Sequence, residues 1–145
     1  MHSPPTPTPL DPFALLGCDF QDRIRIVSVA ARGGFGLIYQ GFHVGLQRPV
    51  ALKVFRLLKP NSEEVWGRAF KAFFQEAQLT ARLNHPAIVK VYDFGQSPMP
   101  SGESAPWMLL EWLEGTTLAK ILQQRAAHPY SPSEALKLLR PVFDA

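Results

Sequence analysis

Ala31-Arg32-Gly33-Gly34-Phe35-Gly36-Leu37-Ile38-Tyr39, followed after a short interval by Val50-Ala51-Leu52-Lys53, is the stretch whose reading decides the fold. A glycine-rich segment lets backbone amides approach a phosphate closely, and a lysine on the next strand can answer its charge. The residues after the glycines show what kind of loop this is. A dinucleotide-binding turn must open a helix, whose N-terminus holds the pyrophosphate. Here Leu37-Ile38-Tyr39-Gln40-Gly41-Phe42-His43 is rich in β-branched and aromatic residues and predicts a strand. Ile24-Arg25-Ile26-Val27-Ser28-Val29, ahead of the glycines, alternates well enough for another. The loop is therefore the tip of a β-hairpin. A Walker loop is excluded, because no Gly-Lys-Ser/Thr follows.

This pattern resembles the protein kinases, most closely the bacterial eukaryotic-like serine/threonine kinases. Their loop reads G-x-G-x-x-G-x-V and their third strand V-A-I-K. Gly33, Gly36 and Ile38 match three loop positions, and Val50-Ala51-Leu52-Lys53 matches the strand. The first glycine position is Ala31, a departure that a small side chain tolerates better than a large one. The resemblance implies an α+β small lobe: a five-stranded antiparallel sheet with one long helix, then a hinge and the first helices of a large lobe. It also implies ATP as ligand, with Ala31, Gly33, Gly34, Phe35 and Gly36 over the phosphates and Lys53 against them.

The composition of the 145 residues, 46% hydrophobic and 19% charged, is that of an ordinary globular chain. A formal charge of +3 with no run of Lys or Arg gives no reason to expect nucleic-acid binding. Cys18 is the only cysteine, which rules out an internal disulfide, fits a reducing compartment and suggests a small buried or half-buried apolar residue rather than a nucleophile. No cationic start with an apolar stretch marks a signal peptide and no run is long enough to span a membrane, so the expected location is cytoplasmic. Residues 1–12 carry alternating Thr-Pro units and read as an extended leader. Folded structure is expected from about Phe13, as a lobe and hinge over 13–113, with 114–145 opening a large lobe.

Gly45-Leu46-Gln47-Arg48 predicts a turn, and Pro49 starts the lysine-bearing strand, where a missing amide is tolerated. Leu57 to Ser62 then leads to a helix over about 62–83, with Ser62 as N-cap and Glu63 and Glu64 in the first turn. Ala69, Phe73, Glu76, Thr80 and Leu83 share one side of it by spacing. A carboxylate within an apolar stripe needs a partner if it is buried. The kinase resemblance implies that Glu76 pairs with Lys53; otherwise Glu76 sits at the edge of the stripe and reaches water.

Pro86 ends the helical stretch, and Val89 to Phe94 predicts a strand, as in the kinase H-P-N-I-V segment. His85 reads as a turn-stabilising residue, with no ligand cluster at metal spacing. Asp93-Phe94-Gly95 directly follows, in the wrong place for the magnesium-binding tripeptide of a kinase, so it is expected to be a strand end and a turn glycine. Ser97 to Pro106 is expected to be a long loop. Trp107 to Leu118 resembles the fifth strand and hinge. The resemblance makes Leu110 the gatekeeper, gives the backbone of Glu111 and Leu113 the adenine edge, and sandwiches the ring between Ile38 and Ala51. Thr117 stands where many kinases carry an acidic ribose contact.

A short helix over 117–125 and a longer one from Ser133, its expected N-cap, end the chain. Ala135, Leu136, Leu138, Leu139 and Phe143 give the longer one an apolar side, and Pro141 interrupts it unless a kink is tolerated. That side requires a covering partner, either further large-lobe sequence or a separate protein. None of His2, His43, His85 and His128 opens an H-R-D-x-x-x-x-N loop, and no A-P-E occurs. Two functions are therefore in view. One is the ATP-binding part of a serine/threonine protein kinase, completed by a large lobe that supplies the magnesium ligands and acts on a protein substrate. The other is a truncated kinase-like lobe acting as a non-catalytic binding or regulatory module.

Overall fold

Alternating apolar residues build β1 (Asp19–Phe20), β2 (Ile24–Gly33), β3 (Gly36–His43), β4 (Arg48–Phe55), β5 (Val91–Pro98) and β6 (Ser104–Glu111) into one antiparallel sheet, in the order β1-β2-β3-β4-β6-β5. The structure, a computed structural model, describes residues 8, 10–33, 36–56, 63–126 and 128–145, and the side chains of all of these except 63–66 and 69. Expectations for Gly34, Phe35, the Ser62 cap, the Thr-Pro units of the first seven residues and the connection over 57–62 lie outside the described residues. Five of the strands are those expected, and the two-residue β1 extends the sheet at one edge.

The sheet curls until its edges meet. Phe20 stands edge-on to Trp107 with ring centres 5.3 Å apart. Arg23 reaches Asp93 at 3.3 Å, and the Gln21 side-chain amide donates to Ser97 Oγ at 3.0 Å. Register irregularities between Ile26 and Ser28, and between Val29 and Ala31, supply the extra twist that such curvature needs. Inside lie Ile24, Ile26, Leu37, Tyr39, Val50, Leu52, Val54, Trp107 and Leu109, plugged by Phe13 and Leu15. The folded part starts earlier than Phe13, because Asp11 is itself buried.

The outer face of β4, β5 and β6 is covered by α1 (Glu63–Arg82), through Phe73 and Ala77 packed with Met108, Phe55, Phe74, Phe94 and Leu110. Of the stripe expected from spacing Phe73 is buried and Thr80 half-buried, but Glu76 and Leu83 are exposed, and the packed face turns instead toward Phe74 and Ala77, with Phe70 beside Phe74. Two neighbouring stripes of one helix are equally periodic, and three phenylalanines have more apolar area to bury than the alternative.

The β5–β6 connection corrects two expectations. Pairing continues through Ser97–Ala105 and Pro98–Ser104, so the loop is only 99–103, with Met99 buried beneath it. Gly95 is therefore not a turn residue. It sits mid-strand, where a Cβ would stand 3.0 Å from the Trp107 ring. Asp93 is likewise inside β5, turned to Arg23.

The chain divides into two units. One comprises the residues up to Leu83 together with Lys90–Trp112, and the other Asn84–Val89 with Leu113–Ala145. In the second, α2 (Leu118–Gln124) is capped by Thr117, which accepts from the Lys120 amide. α3 (Pro132–Phe143) is capped by Ser131 rather than Ser133. Pro132 takes the first helical position, where its missing amide costs nothing, and Ser131 and Glu134 exchange side-chain-to-backbone bonds as a capping box. Those bonds to Ser131 hold the Glu134 carboxyl below its ordinary range. The helix runs on through Pro141 for its last residues. His85 accepts from the Ala87 amide at 3.1 Å, the turn role expected of it. Cys18 is half-buried, and burial pushes its thiol pKa up.

Candidate nucleotide site

β2 and β3 form the glycine hairpin. The ladder closes with Gly33 opposite Gly36, so the tip itself is Gly34-Phe35, outside the described residues. The two flanking glycines have different reasons to be there. Gly36 has φ +143°, and a Cβ on it would lie 2.0 Å from the Val54 carbonyl oxygen, so β3 can approach β4 here only with glycine. A Cβ on Gly33 would meet nothing among the described residues within 4 Å. Packing among the described residues therefore does not demand glycine at position 33.

Strand register then brings the predicted side chains together. Ile38 on β3 lies opposite Lys53 on β4, and Lys53 lies opposite Met108 on β6. One step along, Gln40 lies opposite Ala51, and Ala51 opposite Leu110. Directly paired residues share a face, and residues two apart along a strand do too. Ile38, Ala51, Lys53 and Leu110 thus occupy two adjacent rows on the face opposite the Tyr39 and Leu52 core. Ala31 pairs with Ile38 and continues the first row toward β2. Met108 and Gln40 belong to the same rows and were missed, although counting two residues from Leu110 and from Ile38 would have found them. Gln40 is held by Ser28, whose hydroxyl lies 3.2 Å from its Oε1.

The floor these residues make is apolar and small in the middle, with one cation at its side. The Lys53 ammonium stands 4.8 Å from the centre of the Phe55 ring, on the same strand and face. Among the described residues no ion pair joins it to Glu76, which is exposed. The cause is how α1 beds down. At 100° per residue, the packed face of Phe70, Phe73, Phe74 and Ala77 is centred about 110° around the helix from Glu76. The Thr80 hydroxyl caps the Glu76 carbonyl at 2.9 Å. Expected Lys53–Glu76 pairing is therefore not made in this conformation.

At the end of β6, Glu111 is fixed from both sides. Its amide donates to the Lys90 carbonyl at 3.0 Å, and its carboxylate Oε1 accepts from the Lys90 amide, also at 3.0 Å. Leu113 is exposed and belongs to the second unit. Among the described residues, no group of three or more His, Cys, Asp and Glu side chains comes together as a metal site.

A curled antiparallel sheet with one covering helix, a glycine hairpin between β2 and β3 and a lysine on the next strand defines the small lobe of a protein kinase. The family model described as the protein kinase domain matches residues 26–145, and the chain belongs to that family. It is 37% identical over 121 residues to the serine/threonine-protein kinase PknL of Mycobacterium tuberculosis, covering 83% of this chain and 28% of the relative. It is 33% identical over 124 residues to PknB of the same species, covering 86% and 19%, and 30% identical over 131 residues to PrkC of Bacillus subtilis, covering 90% and 18%. The chain thus spans less than a third of the length of these relatives. Among solved structures, the apo form of PpkA-294 superposes with a TM-score of 0.61 at 26% identity, over 77% of this chain and 42% of the other. The kinase domain of M. tuberculosis PknI gives 0.68 at 24%, over 88% and 47%, which speaks for the fold alone.

Proposed function

We propose that this chain is the ATP-binding lobe of a serine/threonine protein kinase, which transfers the γ-phosphoryl group of ATP to protein serine or threonine once a large lobe completes the site. The observation that carries the reading is the pair of rows Ile38–Lys53 and Ala51–Leu110 on one sheet face beside the Gly33–Gly36 hairpin. An apolar floor of small and branched side chains suits a flat base. What supports ATP as the ligand is the open space at Gly33 among the described residues and Lys53 in the row that Ile38 and Ala31 share with the hairpin.

In this reading Ala31, Gly33, Gly34, Phe35 and Gly36 cover the phosphates, and Ile38 and Ala51 sandwich the adenine. Leu110 stands behind it, and the backbone of Glu111 and Leu113 meets its edge. Lys53 holds the α- and β-phosphates, braced by Glu76 after α1 has turned. ATP supplies the transferable phosphoryl group, and Mg2+ ligands come from residues outside these 145. Catalytic aspartate and metal-binding loops are likewise outside, so the 145 residues alone do not phosphorylate. The working location is the cytoplasm; no helix among the described residues is long and apolar enough to cross a membrane.

One observation favours the second reading, a non-catalytic module. Lys53 rests on Phe55 and Glu76 faces solvent, an arrangement unsuited to phosphoryl transfer as it stands. Titration of ATP into the chain, with and without Lys53→Met, separates the two. The kinase reading expects weak binding that the substitution abolishes; a module that does not use nucleotide shows no binding in either.

A further inference from the structure

Residues 1–12 were expected to form an extended leader, yet Leu10 and Asp11 are bonded to the two strands of the glycine hairpin. Tyr39 of β3 is fully buried, and its hydroxyl donates to Asp11 Oδ1 at 2.7 Å. Asp11, 4% exposed, also accepts from the Leu16 amide through Oδ2 at 2.8 Å. Its own amide donates to the carbonyl and to the hydroxyl of Thr8, each at 3.0 Å. On β2, the Arg32 guanidinium donates to the Leu10 carbonyl. Arg32 is the residue immediately before Gly33, and Tyr39 the one immediately after Ile38.

A buried carboxylate persists only where its oxygens are partnered, and bonds to a charged acceptor are among the stronger ones in a fold. Downstream the segment is anchored in turn. Phe13 and Leu15 plug the core, the Phe13 carbonyl accepts from the Ser101 amide, and Cys18 and Gly17 bond to Ile26. The hairpin is thus tied through β3 to the buried Asp11 and through β2 to Leu10, the exposed residue next to it in the same anchored segment.

We propose that residues 10–16 are a brace for the phosphate hairpin, with Asp11 the positioning residue: through Tyr39, and with Leu10 through Arg32, it sets where Gly33 and Gly36 stand over the sheet face. This rests on the nucleotide reading for its purpose, but not for its mechanics. Beyond the β2–β3 and β3–β4 ladders, the two ties must break before the hairpin can shift over the sheet face, so a bound phosphate finds its amides already in place.

Hydrogen–deuterium exchange on the full chain tests the brace without nucleotide. Tyr39→Phe keeps the ring and removes the bond to Asp11, and Arg32→Gln removes the other tie at an exposed position that does not threaten folding. Each is expected to speed exchange across residues 31–39 by about tenfold, the loss of one charge-assisted bond, relative to β5 and β6. Ser97→Ala, which cuts the bonds to Trp107 and Gln21 instead, is the control and leaves the hairpin at its original rate. Wild-type exchange over 31–39 in both Tyr39→Phe and Arg32→Gln, or equal acceleration in Ser97→Ala, overturns the proposal. A second readout is the apparent ATP affinity, expected to weaken about threefold to tenfold in each brace variant. If the wild-type chain binds no ATP while the exchange results hold, the nucleotide reading fails and the brace stands.

Discussion

Lys53 and Ile38 stand directly opposite one another across the β3–β4 ladder, on the sheet face turned away from the Tyr39 core. That pairing places the cation one row from Ala51 and Leu110 and ties the glycine hairpin to the lysine strand. Lys53→Met should therefore remove phosphate affinity while leaving the fold alone. The expected result is at least a tenfold loss of ATP affinity, about 1.4 kcal/mol, with a midpoint of urea unfolding that scarcely moves.

The two hairpin glycines should behave oppositely. Gly36→Ala must adopt φ +143° and push a Cβ into the Val54 carbonyl, so it should cost about 2 kcal/mol or more of stability. Gly33→Ala has room, and should change stability by no more than about 0.5 kcal/mol while weakening nucleotide binding. Chemical unfolding and ATP titration of the two variants check both statements.

Phe73 anchors α1. It is buried and stands 4.5 Å, ring centre to ring centre, from Phe55. Phe73→Ala should cost about 3 kcal/mol and loosen the helix first, seen as faster amide exchange over Phe73 to Arg82 than in β2 and β3.

Tyr39 predicts an alkaline effect. Burial and the hydrogen bond to Asp11 push its pKa well above that of a free phenol. A folded pKa above the unfolded value means that the contribution to stability is whole below about pH 10, where an unfolded tyrosine begins to ionise, and is lost as pH rises beyond it. Stability of the wild-type chain should therefore fall more steeply above that point than in Tyr39→Phe, measured by urea unfolding across the alkaline range.

Most strands, α1, α2 and the face of the site were legible in the sequence because each is a local property. Alternation fixes which residues of β3, β4 and β6 share a face, and the hairpin register follows from the turn. What escaped depends on partners distant in the chain. The buried stripe of α1 was chosen by Phe55 and Phe94, so Glu76 turned outward although its spacing from Phe73 was right. Gly95 was read as a turn because glycine is usually a breaker; only the Trp107 ring across the ladder explains it. Ser131 outcompeted Ser133 as a cap because Pro132 and Glu134 favour the earlier start, a pattern that was visible. Asp11 looked like part of a proline-rich leader, and no local signal announced Tyr39 beneath it.

The most direct test of the central claim is the amide spectrum of the labelled chain during an ATP titration. The account predicts progressive shifts at Gly33, Ile38, Ala51, Lys53, Leu110 and Glu111, approaching saturation only above about 1 mM, a binding free energy near −4.1 kcal/mol. Shifts confined to other surfaces, or none at several times that concentration, would contradict it.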